Sequence, residues 1–431
     1  MTVFMEAAYK GLLALLQLLT HPFYYVGILF IILQYRRQIA LERKLFSTKL
    51  HSLLSETWRA LLWGWIGGLA ASVLMGVVGA TVQADGVLVL WLVSLLLLVV
   101  RVRFLCWAYA VGLIGIAQTL LGAFTVNTAA WSPPAAWLAN AVLSLNMPSL
   151  LAVIAVLHLV EAGLIWHQGA KAATPMFYES KRGKIVGGYH IQGFWPVALF
   201  LLVPLEGGSQ AALPWTPILG GDMWSGGWTI IAFPVMIGFA ELTLTRLPKE
   251  KTRKSAKMLT IYSATVLLLA ILAHQWPAAV GFASLGCILL HEAVLLYSRW
   301  DEAQRTPYFV HDERGLKILG ILPGSPAEEM GLAPGEILHK VNGIAVTTKQ
   351  QLHHAMQRNS AFCKLEVLNL AGESKFLKRA MFSGEHHLLG IILSPDRDAL
   401  YYAQERQPHL LLYFSKKLLG LFSNQSGTRP M

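Results

Sequence analysis

Apolar stretches long enough to cross a lipid bilayer fill most of the first 300 positions, and they decide what this chain can fold into. Inside a hydrocarbon layer about 30 Å thick, every backbone N–H and C=O must find its partner within the protein. The runs cover residues 11–33, 57–82, 87–100, 104–124, 148–166, 194–205, 226–245, 258–273 and 277–297. Read as helices, they predict a polytopic α-helical membrane domain. Runs 87–100 and 194–205 are short, and His21-Pro22 splits the first run, so eight or nine spans are expected. A chain that is 55% hydrophobic and only 14% charged fits such a body with a modest soluble part.

The charges between the runs predict an orientation. Basic residues gather at Arg36, Arg37, Arg43, Lys44 and Lys49, at Arg101 and Arg103, at Lys171, Lys181, Arg182 and Lys184, and from Arg246 to Lys257. The loops between these clusters, 83–86, 125–147, 206–225 and 274–276, hold no Lys or Arg. Under the positive-inside rule this alternation predicts nine crossings, with the N-terminus outside and everything after Tyr297 in the cytoplasm. The net charge of +11 then reflects basic loops facing anionic lipid rather than a nucleic-acid surface. The first apolar stretch lacks a basic leader and a small-residue cleavage site, so it is expected to remain as an anchor. Leu41, Leu45, Leu50, Leu53 and Leu54 line the first basic loop; an interfacial helix and a plain connector both fit them.

Catalytic chemistry finds little support. His291-Glu292 begins a zinc-protease pattern, but Leu295 stands where the second His would be needed. There is no nucleophile elbow and no phosphate-binding glycine loop. Cys106, Cys287 and Cys363 are far apart and fit no metal spacing, so no metal, cofactor or disulfide is expected and the soluble end belongs in a reducing compartment. Glu161, Glu241 and Glu292 each fall about five residues from the cytoplasmic end of a predicted helix. With His158 and His291 they form either an ion path or a packed polar layer paired to Arg246 and Arg299. Gly64 and Gly68 make a GxxxG pair suited to close helix contact.

Residues 315–343, GLKILGILPGSPAEEMGLAPGEILHKVNG, carry the sharpest signal. Pro323-Gly324 marks a turn, Ser325 caps a short helix entered through Pro326, and Gly331 ends it with positive φ. A strand follows at Ile337, Leu338 and Val341, Asn342-Gly343 makes a tight turn, and Thr348 with Gln351 opens a second helix as a capping box. Strands are expected at 362–370 and 374–382. This order of elements resembles a bacterial PDZ domain, with Glu336 where that family usually has Asp. The resemblance implies a peptide site between a sheet edge and the second helix. The family's carboxylate-binding loop is matched by Leu388-Leu389-Gly390-Ile391, so 388–393 is expected to be the groove-edge strand and 349–359 the facing helix. Leu389 and Gly390 would offer backbone donors, and Leu352, Met356 and Ile391 an apolar pocket; a closed groove around a core strand is the competing reading.

The whole layout, from the Pro22–Tyr25 entry through the polytopic core to one C-terminal PDZ module ending in LLGIIL, resembles the MinJ family of membrane determinants of cell division. Domains are accordingly expected at 1–300 (transmembrane), 301–400 (cytoplasmic PDZ, small α+β) and 401–431 (amphipathic segment and tail). The resemblance implies a non-catalytic plasma-membrane adaptor that links a DivIVA-type polar scaffold to a MinD-type ATPase and restricts septa to mid-cell, with enrichment at septa and poles. The alternative is a transporter-like or protease-regulating membrane protein with a regulatory PDZ domain.

Overall fold

A computed structural model of the 431-residue chain describes residues 3–395, except 83, 125–130, 181–182, 210–212, 214, 220–226, 360 and 383–388. The expected C-terminal segment 401–431 and Leu388 lie outside the described residues. Helices α1 (Val3–Thr20), α2 (Pro22–Phe46), α3 (Leu53–Val78), α4 (Ala84–Val100), α5 (Trp107–Ala123), α6 (Pro133–Ser144) and α7 (Met147–Gln168) come first. Strands β1 (Ala173–Glu179), β2 (Ile185–Ser209) and β3 (Trp228–Thr243) follow, then α8 (Pro248–Gln275) and α9 (Val280–Ala303). The C-terminal module contains β4 (Leu316–Ile321), α10 (Pro326–Glu329), β5 (Ile337–Val341), β6 (Ile344–Ala345), α11 (Lys349–Gln357), β7 (Phe362–Leu368), β8 (Ser374–Ala380) and β9 (Ile391–Leu393).

Among the described residues, five helices are long and apolar enough to cross a membrane, not eight or nine: Val3–Thr20, Leu53–Val78, Met147–Ala172, Pro248–Gln275 and Pro277–Ala303. Two shorter apolar helices, Gly86–Val100 and Trp107–Ala123, accompany them. The expectation fails for identifiable reasons. His21-Pro22 divides the first run into α1 and α2, and the second half of α2 carries Arg36, Arg37, Arg43 and Lys44. Runs 194–205 and 226–245 are not helices at all: they form an antiparallel hairpin of β2 and β3, paired from Tyr189–Thr243 to Pro204–Trp228. A short, uniformly apolar run has the same hydrophobicity whether it folds as a buried strand or a buried helix.

An apolar hairpin inside a membrane protein has to satisfy both of its edges. β1 covers β2 only over Ile185–Ile191. Beyond that point α3 takes over, with Gly64 against Pro196, Gly68 against Ala198, and Ser72 Oγ accepting a 2.8 Å hydrogen bond from Phe200 N. The register has a simple origin. Four helical residues rise about 6.0 Å and two strand residues about 6.6 Å, so every fourth α3 position meets every second β2 residue. The GxxxG pair thus serves a helix–strand contact within the chain. On the other side α1 covers β3: Gln17 Oε1 accepts from Ala232 N at 3.3 Å, and Lys10 Nζ donates to Trp228 O at 2.8 Å. Phe200 and Ala232 donate outward, so residues an even number of places away face outward too. Pro196 and Pro234 occupy such positions, where an absent N–H costs nothing.

The bundle core centres on α7, where Leu151, Ile154 and Ile165 are fully buried. Among the three glutamates expected on helices, Glu241 instead lies on β3, accepting from Ser255 Oγ (2.6 Å) and Ser298 Oγ (2.8 Å) beside Lys251 (3.7 Å). Glu292 pairs with Arg103 at 2.9 Å and accepts from Tyr109 OH at 2.6 Å. Their cations are therefore Lys251 and Arg103, not Arg246 and Arg299. Arg246 instead meets Asp301 at 3.0 Å.

The first basic loop is held by a buried ion pair. Glu42 accepts from Leu50 N (2.8 Å), His51 N (3.2 Å) and His51 Nδ1 (2.5 Å). Burial pushes the Glu42 carboxyl up, but His51 and the two amides outweigh it and hold it below its ordinary value of 4.5. Burial pushes the His51 imidazole down, and the Glu42 carboxylate overcomes this and raises it above 6.5. Glu42's contribution to stability is present above pH 4.5 and lost as pH falls through its lowered value. That of His51 is complete below pH 6.5 and lost as pH rises through its raised value. Thermal unfolding in detergent should therefore give the highest melting temperature between these limits. His51→Gln should flatten the alkaline decline; an unchanged alkaline limb would dissociate the pair from stability.

Candidate peptide groove and its docking on the membrane body

Local chemistry builds the C-terminal module. Ser325 caps α10 by accepting from Glu328 N, and Gly331 closes it at φ 69°. Asn342 and Gly343 turn β5 into β6 with positive φ, and Thr348 and Gln351 form a complete capping box on α11. Glu336, in the position usually held by Asp, accepts from Ala333 N at 3.0 Å and pairs with Lys375 at 3.2 Å, so the longer side chain still ties the turn. The sheet runs β8-β7-β5-β4-β9, with β6 beside β5. β9 is its edge strand, antiparallel to β4 through Ile321–Ile391 and Ile318–Leu393.

The residues singled out for the groove come together. Leu352 and Met356 of α11, Leu389 and Leu393 share one buried cluster, with half-buried Ile391 packed against it. Gly390 sits at φ 79° with Ser325 so close that a Cβ would overlap the Ser325 side chain. Its carbonyl accepts from Leu322 N at 2.8 Å, while Leu389 O accepts from Ala327 N at 3.0 Å. Gly390 is thus fixed by the module's own turn, and a bulky replacement there would break the turn as well as any groove. Leu389 is buried, so Ile391 is the named residue most accessible on the edge strand.

Alternation along β9 gives it a second function that the sequence did not reveal. Ile391 and Leu393 face the module's core, whereas Ile392 points the other way and packs with Tyr189, Ile191, Phe309 and Leu319. That cluster joins the module to the base of the β2–β3 hairpin. Gly187 N donates to Phe309 O and Tyr308 N to Leu244 O, both at 2.8 Å, and Tyr189 OH donates to Leu319 O. Glu302 at the end of α9 accepts from Leu244 N (2.6 Å) and Thr245 N (2.8 Å), fixing the hairpin's exit. In the connecting segment Arg314, hydrogen-bonded to Asp312, holds that carboxyl down at about 2. A signal was available: Tyr308-Phe309 is an aromatic pair in a linker rich in charged and polar residues.

A protein in which an apolar helical body carries a PDZ module docked on its own hairpin is, by class, a multi-pass membrane protein with a C-terminal PDZ domain. A PDZ-domain family profile matches residues 317–368. Over 386 residues the chain is 28% identical to the cell division topological determinant MinJ of Bacillus subtilis (strain 168), covering 87% of this chain and 93% of that one. It is 24% identical over 258 residues to probable MinJ proteins of Lacticaseibacillus paracasei and of Lacticaseibacillus casei (strain BD-II), covering 57% of this chain and 66% of theirs. No solved structure matches the chain. The likeness to MinJ over most of the chain, together with the PDZ domain, supports a non-catalytic cell-division adaptor.

Proposed function

We propose that the chain is a plasma-membrane adaptor that links a DivIVA-type polar scaffold to a MinD-type ATPase and so confines septum formation to mid-cell. Its division into a transmembrane body (1–300), a PDZ domain (301–400) and a C-terminal segment (401–431) follows that role. The alternation of basic and Lys/Arg-free loops supports a cytoplasmic position for the PDZ module. The peptide site is the groove between β9 and α11, with Leu389 and Gly390 at its carboxylate end and Leu352, Met356 and Ile391 along its apolar wall. The observation that carries this reading is the outer edge of β9, which pairs with β4 on one side and with no strand on the other among the described residues. A visiting C-terminal strand would extend the sheet there. Anchoring in two dimensions raises the effective concentration of membrane-bound partners, so weak peptide contacts suffice.

Ile391→Asp places a charge on the proposed wall without touching the Gly390 turn. Loss of a buried interface anchor typically weakens binding by about tenfold or more. The variant should insert normally into the membrane, lose enrichment of a fluorescent fusion at septa and poles, and capture less of the MinD-type partner. Wild-type localisation and wild-type capture would overturn the groove assignment.

A further inference from the structure

Three side chains far apart in sequence converge inside the helical bundle, away from the groove. Cys106 stands at the N-cap of α5, His158 is in the middle of α7, and His291 is on α9. Cys106 Sγ lies 3.4 Å from His158 Nε2 and 3.6 Å from His291 Nε2, and all three atoms fall within 4.8 Å of one another. Two ligands on a tetrahedral zinc ion, with bonds of about 2.3 Å to sulfur and about 2.0 Å to nitrogen, lie about 3.5 Å apart.

Hydrogen bonds behind the cluster settle which nitrogen faces it. His158 Nδ1 is 2.9 Å from Ile154 O, a carbonyl that can only accept, so Nδ1 carries the proton. Tyr109 OH gives its single proton to Glu292 Oε1 at 2.6 Å. His291 Nδ1, 3.1 Å from that hydroxyl, must then donate to it. Both imidazoles are left with Nε2 lone pairs aimed at one sulfur. A thiol has one proton and satisfies one of them. One metal ion satisfies all three groups, and a chain of Glu292, Tyr109 and His291 is the outer-shell arrangement that orients metal-bound histidines.

We propose that Cys106, His158 and His291 form a three-ligand site for a divalent transition-metal ion, zinc by the mixed sulfur and nitrogen donor set. Binding replaces the thiol proton, which leaves to solvent, with a sulfur–metal bond. The three ligands sit on three helices, so the ion pins α5, α7 and α9 together. Close packing there leaves the helices little freedom: a Cβ on Gly112 would lie 2.9 Å from Ser284 O, and one on Gly115 2.8 Å from Ser284 Cβ. Since α9 leads directly to Phe309 and the docked module, the clamp also stiffens the platform under the PDZ domain.

The test uses tag-free, full-length protein in detergent, stripped with a chelator, reloaded with Zn²⁺ and desalted. Elemental analysis should find about one zinc per chain, falling to background in Cys106→Ser and in His291→Gln but not in Cys287→Ser, whose sulfur lies against Tyr262 instead. Loading wild type with Co²⁺ should give a near-ultraviolet thiolate charge-transfer band, and zinc should slow maleimide labelling of Cys106 at least tenfold. These two readouts need no variant to fold. Absence of the cobalt band, or equal zinc in wild type and Cys106→Ser, would overturn the proposal as adventitious binding only.

Discussion

Gly68→Ala is expected to cost about 3 kcal/mol or more, and Gly68→Leu to abolish a folded, monodisperse protein. A Cβ at position 68 would overlap the Ala198 carbonyl and come 2.8 Å from its backbone N and C. Both obstacles are backbone, so neither can turn aside. The helix must leave the strand, and that exposes the outward edge of β2. In lipid no water replaces the lost partners, which makes each exposed amide worth several kcal/mol. Gly64→Ala should be milder but of the same sign, because its Cβ would meet Pro196 O, C and Cδ. Gly163→Ala supplies the control: nothing lies within 4 Å of a Cβ there, and α7 should gain about 0.5–1 kcal/mol of helix preference. Thermal unfolding followed by size-exclusion fluorescence in detergent orders the four variants. Equal melting of Gly68→Ala and wild type would show that α3 does not seal the hairpin.

The same glycine pair shows where sequence reasoning reached and where it stopped. GxxxG announced a close backbone approach, but the approaching element is a strand, and nothing local to α3 says so. β2 and β3 escaped because helices cover their edges and apolar neighbours cover their faces, which removes the in–out alternation that betrays a half-buried strand. Pro196, Pro234, Gly193 and Gly238 were the available hints, being poor residues for a long apolar helix and tolerable on a covered strand edge. The PDZ module was legible almost throughout, because Ser325, Gly331, Asn342-Gly343 and Thr348 with Gln351 each fix their own turn of backbone. The expected groove residues Leu352, Met356, Leu389, Gly390 and Ile391 came instead from the resemblance to the PDZ family's binding loop and facing helix, not from local turn chemistry. Ile392 was invisible as a docking residue, since its partners Tyr189 and Phe309 belong to other parts of the chain. Cys106, His158 and His291 share that difficulty, for no linear spacing records a meeting of three helices.

Phe309→Ala should release the PDZ module from the membrane body while leaving both folded. Phe309 is fully buried, and its cluster contains Tyr189, Ile191, Leu319 and Ile392 but none of the module's own core around Leu338, Leu365 and Val367. Truncating a buried phenylalanine costs about 3–5 kcal/mol, more than a docking contact of this size is expected to spare. The Gly187–Phe309 and Tyr308–Leu244 backbone bonds and the Tyr189–Leu319 bond would then be set against the entropy of a freed linker. Trypsin should cut at Arg305 and Arg314 at least about tenfold faster, because cleavage follows the population of the open form. The released fragment should itself resist digestion. Tyr189→Phe, which removes only the hydroxyl bond to Leu319 O, should move cleavage in the same direction by the equivalent of about 1 kcal/mol. Recruitment is the further readout: with Ile392 no longer seated on the hairpin, the edge of β9 loses its fixed angle to the membrane, and partner capture should fall while capture by the isolated fragment does not. Digestion of the fragment along with the linker would mean that module and body fold as one unit.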